Sequence, residues 1–153
     1  MPKLDIEAIP PSNGTGYPAP FDTAVEGRWW RRLAPVGGLT EMGASHVVLK
    51  PGAWSSQRHW HEGEDELLVM LSGEAVLVED DSRTVLRPGD ICAWARGVRL
   101  GHHLRNESDA DCVFIAVSAG RDAGGSYPDI DMMWNEQGYL HKDGTPYPAR
   151  RLR

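Results

Sequence analysis

Between Val25 and Val117 the chain breaks into short runs rich in Val, Leu, Ile and Trp, divided by turn-forming residues about every eight to twelve positions. Runs of that length are too short for ordinary helices, and alternating side chains along them bury one face of an extended strand. The pattern predicts an antiparallel sandwich or barrel, with strands near 25–33, 44–50, 55–61, 66–71, 74–79, 83–87, 91–95, 102–106 and 111–118. Helical periodicity is absent. Pro51-Gly52 and Pro88-Gly89 place a fixed φ beside a residue that tolerates positive φ, as a type II turn requires, and Ser72-Gly73 sits where two strands reverse. Glu74–Glu79, Asp80-Asp81-Ser82 and Arg83–Leu86 read as a hairpin with an acidic loop.

Two flanks differ in character. Residues 1–24 carry Pro10, Pro11, Pro18 and Pro20 with Gly14 and Gly16, which predicts an irregular N-terminal arm. Residues 120–153 hold Gly124, Gly125, Pro128, Gly138, Gly144, Pro146 and Pro148, which predicts an irregular C-terminal tail packed on the barrel or on a partner subunit. The barrel domain is therefore expected over residues 25–119. At 153 residues and 41% hydrophobic content the chain can bury one core, whereas two domains would both be undersized.

A net charge of −6 argues against nucleic acid as a partner, because phosphate binding needs clustered Lys and Arg. Arg150, Arg151 and Arg153 form the one basic cluster and read as a solvated tail. No apolar run approaches the length needed to span a bilayer, and Met1–Ile9 lacks the features of a secretory signal, so no membrane partner and a cytoplasmic location are expected. Cys92 and Cys112 lie in apolar segments and read as core residues.

The chemistry concentrates in Pro51–Gly73. His59 and His61 are separated by one residue, and on a strand that spacing turns both imidazoles to one side and Trp60 to the other. Glu66 follows five residues after His61. A second segment, Gly89–Asn106, brings His102 and His103 about forty residues later. Parity groups His102 with Leu104 on the inward face and turns His103 and Arg105 outward, while a bulge at Gly101 would invert that choice; His102 is selected. Glu62, Glu64 and Asp65 read as a solvated acidic loop, Arg58 as an outward ion pair, and His46 as structural. The six Trp residues read as core and interface anchors, with ring stacking on a sugar open to Trp54 and Trp94; Asp129, Asp131 and Trp134 receive no role.

These two segments resemble the paired motifs of the cupin superfamily. Gly52, His59, His61, Glu66 and Gly73 match the first motif; Gly89, Gly97, His102 and Asn106 match the second, with Ala95 where a Pro is usual and a longer interval before His102. The resemblance covers roughly residues 44–118 and implies an all-β, cupin-type double-stranded β-helix, a jelly-roll barrel, holding one divalent metal on His59, His61, Glu66 and His102. Small cupins also imply a homodimer.

Three imidazoles and one carboxylate suit Fe, Mn, Ni, Zn or Cu rather than Ca or Mg, which prefer oxygen shells. Two functions follow as expectations. One is a metal-dependent enzyme acting on a small molecule, a sugar or organic-acid isomerase or epimerase, a lyase or a dioxygenase; the other is a non-catalytic barrel that binds a small ligand. His46, His103, Tyr127, Tyr139 and His141 are the remaining candidates for proton transfer, and no spacing commits any of them.

Overall fold

A computed structural model describes residues 3–148; the Arg150, Arg151 and Arg153 cluster lies outside them. Twelve short strands fall in chain order among the described residues: β1 Arg28–Arg32, β2 Met42–Leu49, β3 Trp60–His61, β4 Glu64–Ser72, β5 Ala75–Val78, β6 Arg83–Leu86, β7 Ile91–Trp94, β8 His103–Arg105, β9 Cys112–Gly120, β10 Gly125–Tyr127, β11 Met132–Asn135 and β12 Gly138–Leu140. They form an antiparallel five-stranded sheet in the order β1-β2-β9-β4-β7, a four-stranded sheet β12-β11-β10-β3 and a three-stranded sheet β6-β5-β8. The architecture is the all-β cupin type that the turn spacing and motifs anticipate. Among the described residues helix is confined to single turns, including Leu33–Val36 after β1.

Registers on the large sheet define its inner face. Arg28, Trp30 and Arg32 of β1 pair with Leu49, Val47 and Ser45 of β2, which pair in turn with Cys112, Phe114 and Ala116 of β9. Phe114 and Ala116 pair with Met70 and Leu68 of β4, and Glu66 pairs with Trp94 of β7. The apolar members of this face pack against Ala75, Leu77, Leu86 and Leu104 of the three-stranded sheet to form the main core. Burial of each Val, Leu, Met or Phe side chain among them stabilises the fold by roughly 1.5–3 kcal/mol. Cys112 lies in this core and Cys92 packs against it, both as free thiols.

The expected hairpin forms as β5 and β6, closed by Glu79 N–H donating to Ser82 O at 3.0 Å. The expected strand over 55–61 shortens to Trp60–His61, with isolated bridges at Trp54 and His59. The cause is local: the Leu104 N–H donates to the Ser55 hydroxyl at 2.9 Å rather than to a backbone carbonyl, which interrupts the ladder.

Within the Gly- and Pro-rich C-terminal segment, β10–β12 form a small sheet, and β10 pairs with β3. Gly125 permits this approach, because a Cβ there would collide with Trp60 O and the Trp134 ring. Tyr17 and Val25 from the N-terminal part join Tyr127 and Met132 in a second apolar cluster that seals this end.

Candidate metal centre

Two of the sheets, with the residues flanking β3 and β8, bring polar side chains to the same point. β3 carries His61, and His59 stands beside it through an antiparallel bridge to His102, which immediately precedes β8. β4 presents Glu66 from the inner face. Strand alternation turns His59 and His61 to one side and Trp60 to the other, where the Arg99 guanidinium covers its ring at 5.2 Å.

The ligand-type atoms converge closely. His59 Nε2 lies 3.0 Å from His61 Nε2, His61 Nε2 lies 3.4 Å from Glu66 Oε2, and His102 Nε2 lies 2.7 Å from the same oxygen. One such atom each from His59, His61 and Glu66 fall within 4.8 Å of one another, and His102 joins them through Glu66. His61, Glu64 and the more exposed Asp122 make a second, overlapping group of that size.

The outer ring nitrogens set the orientation. His59 Nδ1–H donates to Gln57 O at 2.9 Å and His102 Nδ1–H donates to Leu100 O at 3.0 Å, in both cases a carbonyl two residues earlier. With tautomers assigned from these partners, the Nε2 of both rings points inward, that of His59 as a lone pair and that of His102 toward Glu66 Oε2, the disposition a metal-binding imidazole takes when its second nitrogen is held. Facing lone pairs 3.0 Å apart repel unless a proton or cation lies between them. The donor set therefore suits a borderline transition ion, Fe, Mn, Ni, Zn or Cu.

Electrostatics separate the two neighbouring histidines. Burial drives His59 down to about 3, so its ring is neutral. Burial also opposes charge on His61, but the Glu64 and Glu66 carboxylates outweigh it and raise His61 to about 9. Burial resists ionisation of Glu66, and hydrogen bonds from His102 and His61 overcome that and hold it well below the usual carboxylate range.

Aromatic rings brace the site. Trp94 stacks on His102 at 4.0 Å and 7° from parallel, while its Nε1–H donates to Glu79 Oε1 at 3.0 Å. Trp134 stands edge-on to His61 at 5.1 Å, and Tyr127 lies 5.8 Å from His59. A cavity of about 480 Å³ opens above the four side chains, bounded also by Arg28 and Trp30 of β1 and by Tyr17 of the N-terminal arm.

His102 and His103 divide clearly. His103 has both nitrogens engaged away from Glu66: Nδ1–H donates to Ser56 O at 2.8 Å, and Nε2 accepts from Arg105 Nε–H at 3.0 Å. The expectation that His103 faces outward is corrected in one respect: it is 1% exposed, because Trp54 packs edge-on against it at 4.8 Å. Trp54 in turn is covered by the Arg105 guanidinium at 3.9 Å. Glu64 also departs from expectation, since it begins β4 and lies 3.3 Å from His61 Nδ1 instead of sitting in a solvated loop. Arg58 makes the expected ion pair, to Asp129 at 2.6 Å and to Asp80. His46 lies on the opposite face of β2, paired with Arg31.

Residues 45–118 match the Cupin domain family. A crystal structure from Silicibacter pomeroyi, named a sugar phosphate isomerase of the cupin superfamily, superposes with a TM-score of 0.89 at 38% identity, over 97% of this chain and 98% of that one. This chain belongs to the cupin superfamily. A cupin 2 conserved barrel domain protein from Salinispora arenicola shares the fold at TM-score 0.56 and 23% identity, over 78% of this chain and 87% of that one. An oxalate-binding protein from Thermotoga maritima is 33% identical over 73 residues, 48% of this chain and 58% of that protein's length.

Three residues at the site of this cupin carry no role in the sequence reading. Trp134 reaches His61 only because β10 and β11 fold back, and nothing in a Gly-rich tail signals that return. Tyr17 arrives from the irregular arm. Arg28 was legible in principle, since it shares one face of a short strand with Trp30 and Arg32.

Proposed function

We propose that this cupin is a metal-dependent enzyme acting on a small sugar or organic acid, with His59, His61, Glu66 and His102 as ligands to one divalent transition ion. The observation that carries the reading is the convergence of these side chains, with the outer nitrogens of His59 and His102 tied to carbonyls, on one cavity. The ion would supply a Lewis acid to a carbonyl or hydroxyl oxygen in that cavity. Trp94 and Trp134 hold the imidazoles in place, and the arm residue Tyr17 helps keep bulk water from the pocket. The name of the Silicibacter pomeroyi relative supports isomerisation among the possible reactions.

A non-catalytic reading is compatible with the burial of the cavity tyrosines. Burial raises the phenols of Tyr17, to about 12, and of Tyr139, so neither cavity tyrosine is poised to exchange a proton at neutral pH. The oxalate-binding relative supports that alternative. The test is metal-loaded protein incubated in D2O with a panel of aldoses, ketoses, their phosphates and hydroxy acids, followed by proton NMR. Deuterium appearing beside a carbonyl, with interconversion, supports the isomerase; saturable binding with no exchange or turnover across the panel supports the binding protein.

We also propose a homodimer. Leu67 and Ile91 are exposed on β4 and on the edge strand β7, which supports pairing at that margin. Light scattering is expected to return twice the chain mass, and a monomer at micromolar concentration would contradict it.

A further inference from the structure

Arg28 presents an unusual balance of charge. Its guanidinium has five N–H donors, and only two have partners: Nη1–H donates to Ser55 O at 2.7 Å and Nη2–H to Gly14 O at 3.4 Å, both neutral carbonyls. Nε–H is buried without a partner. Among the described residues no carboxylate forms an ion pair with Arg28, although the other large internal guanidinium, Arg58, has two. Arg28 is half-buried, and a cation withdrawn from water without a counter-ion is costly and is normally paired.

Its surroundings offer no compensation within the protein. The ionisable groups that influence it, Tyr17, Tyr139 and Tyr127, are phenols, neutral at physiological pH, and burial pulls the guanidinium below its ordinary value. Arg28 lines the same cavity as His59, His61, Glu66 and His102. Arg32, two residues along the same face of β1, lines it as well and lies 4.9 Å over the Trp30 ring. Among the described residues Glu66 is the one carboxylate on the wall, and His61 and His102 already engage it.

We propose that Arg28 is the anion-binding group of this cavity, and that the ligand is a small molecule carrying a phosphate or carboxylate, seated on Arg28 while its other end faces the histidine cluster. The inference rests on the cavity being the ligand site, as in the proposed function, and on no particular metal. A planar guanidinium with spare donors on Nε and Nη matches either anion in a two-point contact. Arg28 and Glu66 line one cavity of about 480 Å³, which has room for a ligand of monosaccharide size.

The test is titration of inorganic phosphate, and separately of acetate, into metal-stripped and metal-loaded protein by calorimetry. Saturable binding is expected in both forms of the wild type, weakened about 10–100-fold in Arg28→Gln, partly restored in Arg28→Lys, and unchanged in Arg83→Gln, whose side chain pairs with Glu107 outside the cavity. Preference for phosphate over acetate identifies the phosphorylated class, and the reverse identifies a carboxylate. Because Arg28 also holds Ser55 and Gly14, the wild-type arginine Nε–H resonances provide a measurement free of substitution: one of them must shift on saturation.

Equal affinity in wild type and a folded Arg28→Gln, no saturable binding of either anion, or no shifted Nε–H resonance would overturn the proposal. Binding that vanishes with the metal and ignores Arg28 would do so too while leaving the metal reading intact. Binding that needs Arg28 in a protein that takes up no metal would uphold the anion site and overturn the metal reading.

Discussion

His61 sits between two carboxylates, 3.3 Å from Glu64 and 3.4 Å from Glu66, and its pKa is raised to about 9 in the metal-free protein. At pH 7 the imidazole is therefore protonated, and that proton occupies the region where a cation would bind. Metal ligation requires neutral imidazole, so loading must expel it. Calorimetry of metal binding in buffers of different ionisation enthalpy is expected to report release of about one proton at pH 7, with affinity falling about tenfold per pH unit below pH 9. Proton release near zero at pH 7 would contradict this account. His103 makes the opposite case: burial lowers it to about 4, against about 6.5 in the unfolded chain. Between these values the unfolded chain takes up a proton that the native state refuses, so stability declines as pH falls through that window and levels off below it. Urea melts of His103→Gln, compared with wild type from pH 7 to pH 4, are expected to show a smaller decline.

At the level of elements, the loop after β8 is tied to β2 by a single side chain. Asn106 is fully buried; its Nδ2 donates to Leu49 O at 2.8 Å and to Ala110 O at 2.7 Å, and its Oδ1 accepts from Ser108 N–H and Oγ–H. Truncation leaves buried groups unpaired, so Asn106→Ala is expected to lower stability by roughly 1–3 kcal/mol, read as a reduced urea midpoint at unchanged slope. The elements were legible where period-two alternation met strong turn chemistry, as at β5 and β6 or at Pro51-Gly52, where Gly52 adopts φ +81°. They were not legible where pairing depends on a side chain replacing backbone, as Ser55 does for Leu104, or on close chain approach, as at Gly125. The position of His102 was readable from its parity with Leu104. The burial of His103 was not, because the Trp54 that covers it comes from a distant loop.

Across the whole molecule, the candidate centre is where the three sheets meet: Glu66 belongs to the five-stranded sheet, His61 to the four-stranded sheet, and His102 adjoins the three-stranded one. An ion held there would bind the native state and leave the unfolded chain, so its loss should loosen all three together. Chelation is accordingly expected to lower the melting temperature of the entire protein in one transition. The most direct measurement is elemental analysis of protein purified without a metal-affinity tag, as wild type and as His59→Ala, His61→Ala, Glu66→Ala, His102→Ala and His103→Ala. The account predicts near-stoichiometric Fe, Mn, Ni, Zn or Cu in wild type and His103→Ala, and its loss in the other four. A wild type that holds no transition metal and cannot be loaded with one, or metal retained in folded His59→Ala and His61→Ala, would contradict it.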